Sequence, residues 1–217
     1  MTIPKLEILR RISDAGLVAV VRAETAEAAR RTADAVLEGG CPAVEMTFTV
    51  PGAHRVIEEM ARAYKPSELI LGAGTVLDPE TARIAILSGA SYVVSPSLNV
   101  ETVRLCNRYQ VPVMPGAMTV REVIEALEVG ADVVKLFPGE AFGPGAVRAI
   151  RGPLPQAPLM PTGGVDLSNV GEWIRAGAVA VGAGSSLTGP AKSGDFAAVT
   201  RMARDLIAEI RQARRGL

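Results

Sequence analysis

Apolar positions in this chain fall into short β-branched runs, each followed by a longer stretch in which apolar and polar residues recur at helical spacing. The runs predict strands at Leu17–Arg22, Ala43–Phe48, Leu69–Gly74, Tyr92–Ser95, Val111–Pro115, Asp132–Phe137, Pro158–Thr162 and Val179–Gly182. Between them the spacing predicts helices over Thr25–Glu38, Ala53–Tyr64, Pro79–Ser88, Val100–Tyr109, Val120–Glu128, Pro144–Ile150, Leu167–Arg175 and Asp195–Arg214. An amphipathic helix over about Pro4 to Asp14 opens the chain. Helix starts read as N-caps at Asp78-Pro79-Glu80 and Thr119-Val120-Arg121-Glu122. Helix ends carry glycine: Glu38-Gly39-Gly40, Ser88-Gly89, Val129-Gly130 and Ala176-Gly177. A glycine just beyond the last helical residue supplies a left-handed cap, and the next strand begins within a few residues.

Strict strand–helix alternation implies parallel strands joined by right-handed crossovers. Eight such units in 217 residues fit the lower size range of a closed eight-stranded barrel. The competitor is an open doubly wound sheet, but no dinucleotide fingerprint follows the first strand. The reading is an α/β protein, a (β/α)8 TIM barrel with an extra N-terminal helix, forming one domain over residues 1–217.

Alternate residues of a barrel strand face the interior. On the second strand Val44, Met46 and Phe48 suit the helical jacket, leaving Ala43, Glu45 and Thr47 inside. On the sixth, Val134 and Leu136 point outward while Val133, Lys135 and Phe137 point inward. On the first, Ala19 and Val21 go outward, and Val18, Val20 and Arg22 inward. Three charged side chains are therefore expected in one interior. Burial favours the neutral form of a lysine, which is a nucleophile. Such a cluster reads either as a self-compensating ion network or as a site, and barrel catalysis is built at the C-terminal ends of the strands.

The seventh strand ends in Pro161-Thr162-Gly163-Gly164-Val165 and the eighth in Gly182-Ala183-Gly184-Ser185-Ser186. Those two loops, with a short helix N-terminus, commonly cradle phosphate in eight-stranded barrels. Ordinary tight turns are the other reading of the same glycines. Gly72-Ala73-Gly74-Thr75 either brings Thr75 to the mouth of a site or lets the third strand pass close to a neighbour.

Composition narrows the classes. Lysine plus arginine and aspartate plus glutamate balance at 23 each, and aromatic residues are scarce at 4%, so neither nucleic acid nor a membrane surface is the expected partner. Cys41 and Cys106 have no metal-ligand spacing and read as free thiols in a reducing compartment. No secretory leader and no membrane-length apolar run is visible, so a soluble cytoplasmic protein is expected. The single histidine, His54, reads as a surface residue, and no metal or other cofactor is expected.

Several segments, in order, resemble the 2-keto-3-deoxy-6-phosphogluconate (KDPG) / 4-hydroxy-2-oxoglutarate (KHG) aldolases. They are Val44-Glu45-Met46-Thr47, Gly72-Ala73-Gly74-Thr75-Val76, Val94-Ser95-Pro96, Met114-Pro115-Gly116, Lys135-Leu136-Phe137-Pro138-Gly139-Glu140 and Pro161-Thr162-Gly163-Gly164-Val165. The resemblance implies a lyase, a metal-independent class I aldolase of the Entner–Doudoroff type. Lys135 would form the Schiff base and Glu45 would be the acid/base carboxylate. It further implies substrate contacts at Arg22, Thr47, Thr75, Pro96, Phe137 and Thr162, with phosphate over Gly163, Gly164, Gly184 and Ser185. The implied partners are a 2-keto acid, a phosphorylated aldehyde and two further copies of the chain in a homotrimer. One branch of the family carries an arginine where this chain has Thr49, which shifts carboxylate binding towards Arg22 and Thr75. Another phosphate-binding barrel, an isomerase or thiamin-phosphate-type synthase, and an inactive barrel serving as an assembly subunit are the alternatives.

Overall fold

The computed structural model describes residues 3–216 and places eight parallel strands in the expected order. They are β1 (Leu17–Val21), β2 (Ala43–Thr47), β3 (Ile70–Gly74), β4 (Tyr92–Val94), β5 in two halves (Val113–Met114 and Gly116–Ala117), β6 (Val134–Leu136), β7 (Leu159–Pro161) and β8 (Val181–Ala183). Hydrogen bonding runs β5–β4–β3–β2–β1–β8 through the first half of β5 and β5–β6–β7 through the second. A parallel bridge between Thr162 and Gly182 joins β7 to β8 and closes the barrel. The fifth strand extends past its expected end at Pro115, which divides it. Proline has no N–H to give to a ladder. Its carbonyl still accepts the Lys135 N–H at 2.9 Å, so the gap anchors the backbone of β6.

The helices are α1 (Pro4–Ala15), α2 (Ala26–Glu38), α3 (Ala53–Ala63), α4 (Pro79–Leu87), α5 (Val100–Arg108), α6 (Val120–Glu128), α7 (Gly145–Arg151), α8 (Val170–Arg175), a single turn α9 (Ser185–Thr188) and α10 (Phe196–Arg215). Asp78 accepts from the Thr81 N–H at 2.6 Å, and Thr119 forms a reciprocal capping box with Glu122, as the N-cap patterns require. Helix α8 begins three residues later than its apolar pattern suggests. There Asp166 accepts from the Ser168 N–H and Asn169 Nδ2 donates to the Gly164 carbonyl, so side chains hold the segment as a turn. In the glycine pair after α2, Gly40 takes the left-handed conformation (φ 89°) and Gly39 does not. Gly39 is glycine for space, because a Cβ there would stand 2.5 Å from Ala203 Cβ where α10 crosses α2.

Two apolar clusters separate cleanly. The larger lies between strands and helices and holds Ala19, Val21, Val44, Met46, Val134 and Leu136. The smaller fills the barrel with Val18, Ala43, Ile70, Tyr92, Val94, Met114, Val133, Met160 and Ala180. Helix α1 plugs the N-terminal end by packing Ile8, Leu9 and Ile12 against that interior. The alternation read from the three decoded strands is therefore the one adopted. Among the described residues, no helix is long and apolar enough to cross a membrane.

Candidate active site

The C-terminal half of the interior is unusually rich in glycine. Gly72 and Gly74 on β3, Gly116 on β5 and Gly182 and Gly184 at β8 alternate in phase with the inward positions. All but Gly184 omit a side chain where another residue needs the space. A Cβ on Gly74 would overlap the Glu45 carboxylate, one on Gly72 the Tyr92 ring, and one on Gly182 the Thr162 side chain. One on Gly184 would stand 3.4 Å from the Arg22 guanidinium. These vacated positions let long polar side chains occupy a barrel that larger residues would otherwise fill.

Glu45 is fully buried and Lys135 is 3% exposed. Lys135 Nζ stands 3.7 Å from Glu45 Oε1, an ion-pair distance just beyond a direct hydrogen bond. Neither Glu45 oxygen has a hydrogen-bond partner among the described residues. A carboxylate and an amine at this separation can exchange a proton through one water or through a substrate hydroxyl lying between them. Phe137 sits above the lysine, with Nζ 5.1 Å from the ring centroid.

Phe137 also lines a cavity of about 660 Å³ at the C-terminal mouth, together with Arg22, Thr162, Gly163, Gly164, Gly184 and Ser185. Thus the residues expected at the phosphate end meet in one concavity, and Phe137 connects it to the lysine. Gly163 and Gly164 both have positive φ (95° and 69°), which any other residue would adopt only with strain. Thr162 is 3% exposed and its Oγ1 has no partner among the described residues.

The other expected residues are placed differently. Arg22 lies one residue past β1, exposed at the mouth, so it does not join Glu45 and Lys135 inside as the strand pattern suggested. Thr47 is buried, and its hydroxyl donates to the Val21 carbonyl at 2.9 Å while contacting Thr49 Oγ1 at 2.7 Å. Those bonds make it a tie between strands and occupy its proton. Thr75 has φ 55°, a strained value for a β-branched residue of the kind that gathers at functional sites. Pro96 follows Ser95, whose hydroxyl donates to the Ser97 carbonyl at 2.7 Å and fixes that turn. Neither Thr47, Thr75 nor Pro96 lines the mouth cavity.

Three residues near the site went unassigned in the sequence reading. Glu140 and Asp166 line the same cavity as Arg22. Tyr92 enters the interior, and extending the alternation to β4 finds it there with Val94. Outside the site, His54 is exposed and both cysteines are buried and free. No cluster of three or more His, Cys, Asp or Glu side chains suited to a metal occurs among the described residues.

A closed parallel barrel with a buried lysine–carboxylate pair beneath a glycine-lined mouth at the last two strands has the form of a barrel enzyme. The chain belongs to the KDPG and KHG aldolase family, which it matches over residues 8–202. It is 37% identical over 172 residues to a 2-dehydro-3-deoxy-6-phosphogalactonate aldolase of Escherichia coli, covering 79% of this chain and 83% of that protein. It is 36% identical over 205 residues to a 2-dehydro-3-deoxy-phosphogluconate aldolase of Treponema pallidum, covering 93% and 95%. A crystal structure of KDPG aldolase from Legionella pneumophila, with pyruvate captured as a covalent carbinolamine, superposes with a TM-score of 0.84 at 26% identity, covering 92% and 97%.

Proposed function

We propose that the protein is a class I aldolase that cleaves 2-keto-3-deoxy-6-phosphogluconate to pyruvate and glyceraldehyde 3-phosphate. The observation that carries the reading is Lys135 Nζ, buried and 3.7 Å from the equally buried Glu45 carboxylate, in a chain of this family.

Lys135 passes a proton to Glu45, directly or through one water, and its freed amine attacks the C2 ketone to give a carbinolamine; Glu45 returns the proton to the departing hydroxyl, so that loss of water leaves a protonated imine and Glu45 again a carboxylate. Glu45 removes the C4 hydroxyl proton, directly or through one water. The C3–C4 electron pair then flows into the iminium, leaving an enamine of pyruvate and a free aldehyde. Glu45 returns the proton to C3, and hydrolysis of the imine releases pyruvate. Because the iminium holds the developing negative charge, the residues present suffice for the bond cleavage.

At the other end of the substrate, the loops at Gly163–Gly164 and Gly184–Ser185 receive the phosphate, and Arg22 supplies positive charge at the mouth. Thr162 and Phe137 lie between the two ends, while Thr75 and Pro96 border the keto-acid end. With Thr49 tied to Thr47 and Arg22 at the phosphate loops, carboxylate binding falls to Thr75 rather than to Arg22. 4-Hydroxy-2-oxoglutarate, which gives pyruvate and glyoxylate by the same chemistry, is the second substrate. The protein works in the cytoplasm as a homotrimer. Self-association is supported by an apolar hollow of about 380 Å³ outside the barrel, lined by Ala117, Met118, Val120, Phe142 and Trp173. Met118, Val120 and Phe142 are all exposed in the single chain.

The test is borohydride reduction with pyruvate followed by peptide mass analysis. One reduced pyruvate adduct on Lys135, together with lactate-dehydrogenase-coupled turnover of 2-keto-3-deoxy-6-phosphogluconate, supports the reading. Labelling that persists in Lys135→Ala overturns it.

A further inference from the structure

Tyr92 is a large polar side chain in the barrel interior for which the proposed chemistry has no role. It is fully buried, and its hydroxyl has no hydrogen-bond partner among the described residues. The registers place Glu45, Gly72 and Tyr92 side by side on β2, β3 and β4. In a parallel sheet such neighbours face the same way, here inward. Gly72 between them has no side chain, and a Cβ there would overlap the tyrosine ring at its hydroxyl-bearing Cζ. The ring therefore lies across β3, and its hydroxyl points from β4 towards the Glu45 side of the barrel. Glu45 leans the other way along the strand, over Gly74, so the phenol sits beneath the carboxylate as the floor of its chamber.

We propose that Tyr92 is a positioning residue of the aldol site, donating its hydroxyl proton towards Glu45 through one enclosed water and thereby holding the carboxylate against Lys135. The proposal rests on the reading of Glu45 as the acid/base group. Both Glu45 oxygens and the Tyr92 hydroxyl lack protein partners, and buried polar groups of this kind are ordinarily satisfied. A single water with two to four polar neighbours meets the need of all three. Direction follows from protonation. Burial, reinforced by the nearby Glu45 charge and the Cys41 thiol, pushes the phenol well above its ordinary value of 10. It stays protonated and therefore keeps a proton to donate towards the carboxylate. The other charged group facing Glu45 is Lys135 from β6, while Arg22 stays outside at the mouth. Tyr92 thus takes no part in proton transfer to substrate; it fixes the group that does.

The experiment compares Tyr92→Phe, Glu45→Gln and the double variant in the full chain. It reads kcat and KM, borohydride trapping, deuterium exchange into the pyruvate methyl group, and the melting temperature. Tyr92→Phe is expected to slow exchange and kcat by about tenfold while KM and trapping yield stay within about twofold. In the Glu45→Gln background, the same change has no further effect on exchange. A twofold or smaller effect of Tyr92→Phe beside a slow Glu45→Gln, with a melting temperature equal to or above the parent's, makes the tyrosine mere core packing and overturns the proposal. Equal effects in both backgrounds also overturn it, since Tyr92 then does not act through Glu45. Unaltered exchange in Glu45→Gln overturns the site reading itself.

Discussion

The Glu45 carboxylate occupies the space that a side chain on Gly74 would need. The two residues lie on adjacent strands, with Gly74 paired to Thr47, two positions beyond Glu45. The carboxylate consequently leans towards the C-terminal mouth, where substrate arrives. In Gly74→Ala the methyl group forces it aside. Because a displacement of about 1 Å can cost a hundredfold in rate, kcat is expected to fall by about 10²-fold. Imine trapping with pyruvate at Lys135 should survive. Steady-state kinetics beside a trapping assay checks this, and an unchanged kcat would mean that the carboxylate works from another position.

The Lys135–Glu45 pair is costly to break from one side. Lys135→Met leaves the fully buried Glu45 without its cation, a loss worth about 3–5 kcal/mol. Lys135→Met/Glu45→Gln removes both charges and should recover most of that stability while remaining inactive. Urea denaturation of the two variants measures the difference. Equal stability of the single variant and the parent would show that the two charges do not compensate each other.

The phosphate end can be separated from the chemistry. Gly164 has φ 69°, and a Cβ on it would lie 2.7 Å from Glu140 Cβ. Gly164→Ala therefore distorts the loop that meets the phosphate, and KM for 2-keto-3-deoxy-6-phosphogluconate should rise by about tenfold, the effect of roughly one lost charge-assisted hydrogen bond. kcat/KM for unphosphorylated 4-hydroxy-2-oxoglutarate should change by less than about twofold, since no phosphate binding energy is at stake. Equal losses on both substrates would make this loop structural.

Burial pushes both thiols, Cys41 and Cys106, up to about 12. They remain protonated at pH 8, so Ellman's reagent should react with the native protein at least about 10³-fold more slowly than with the urea-unfolded chain. In the unfolded chain the same thiols ionise near about 8.5. Their contribution to stability is complete below that pH and is lost as pH rises from there towards 12. Melting temperatures at pH 8 and pH 10.5 should fall accordingly, and less steeply in a Cys41→Ala/Cys106→Ala variant.

Much of the site was legible because barrel strands alternate. Val44 and Met46 had to face helices, which left Glu45 facing in, and the same argument turned Lys135 inward between Val134 and Leu136. Arg22 was less legible. It has the right phase, but β1 ends before it, and phase alone does not say where a strand stops. Tyr92 was missed because an aromatic residue in a strand reads as core, and only its overlap with Gly72 shows where its hydroxyl points. Gly39 and Gly40 divide their tasks between helix packing and helix termination, a division set by the distance of α10 from α2.

Local pattern by itself determined the strand–helix order, the helix caps, the inward phase of Glu45 and Lys135, and the glycines at the ends of β7 and β8. These follow from side-chain periodicity and backbone preference, which act over a few residues. Only the tertiary structure decided the 3.7 Å separation of Lys135 from Glu45, the meeting of Arg22 with the Gly163 and Gly184 loops, and the placement of Tyr92 beneath the carboxylate. The physical reason is closure. Residues on β2, β4 and β6 become neighbours only when the sheet curls round to join β7 to β8, and the omitted side chains of Gly72, Gly74 and Gly182 set how near the polar groups can then come.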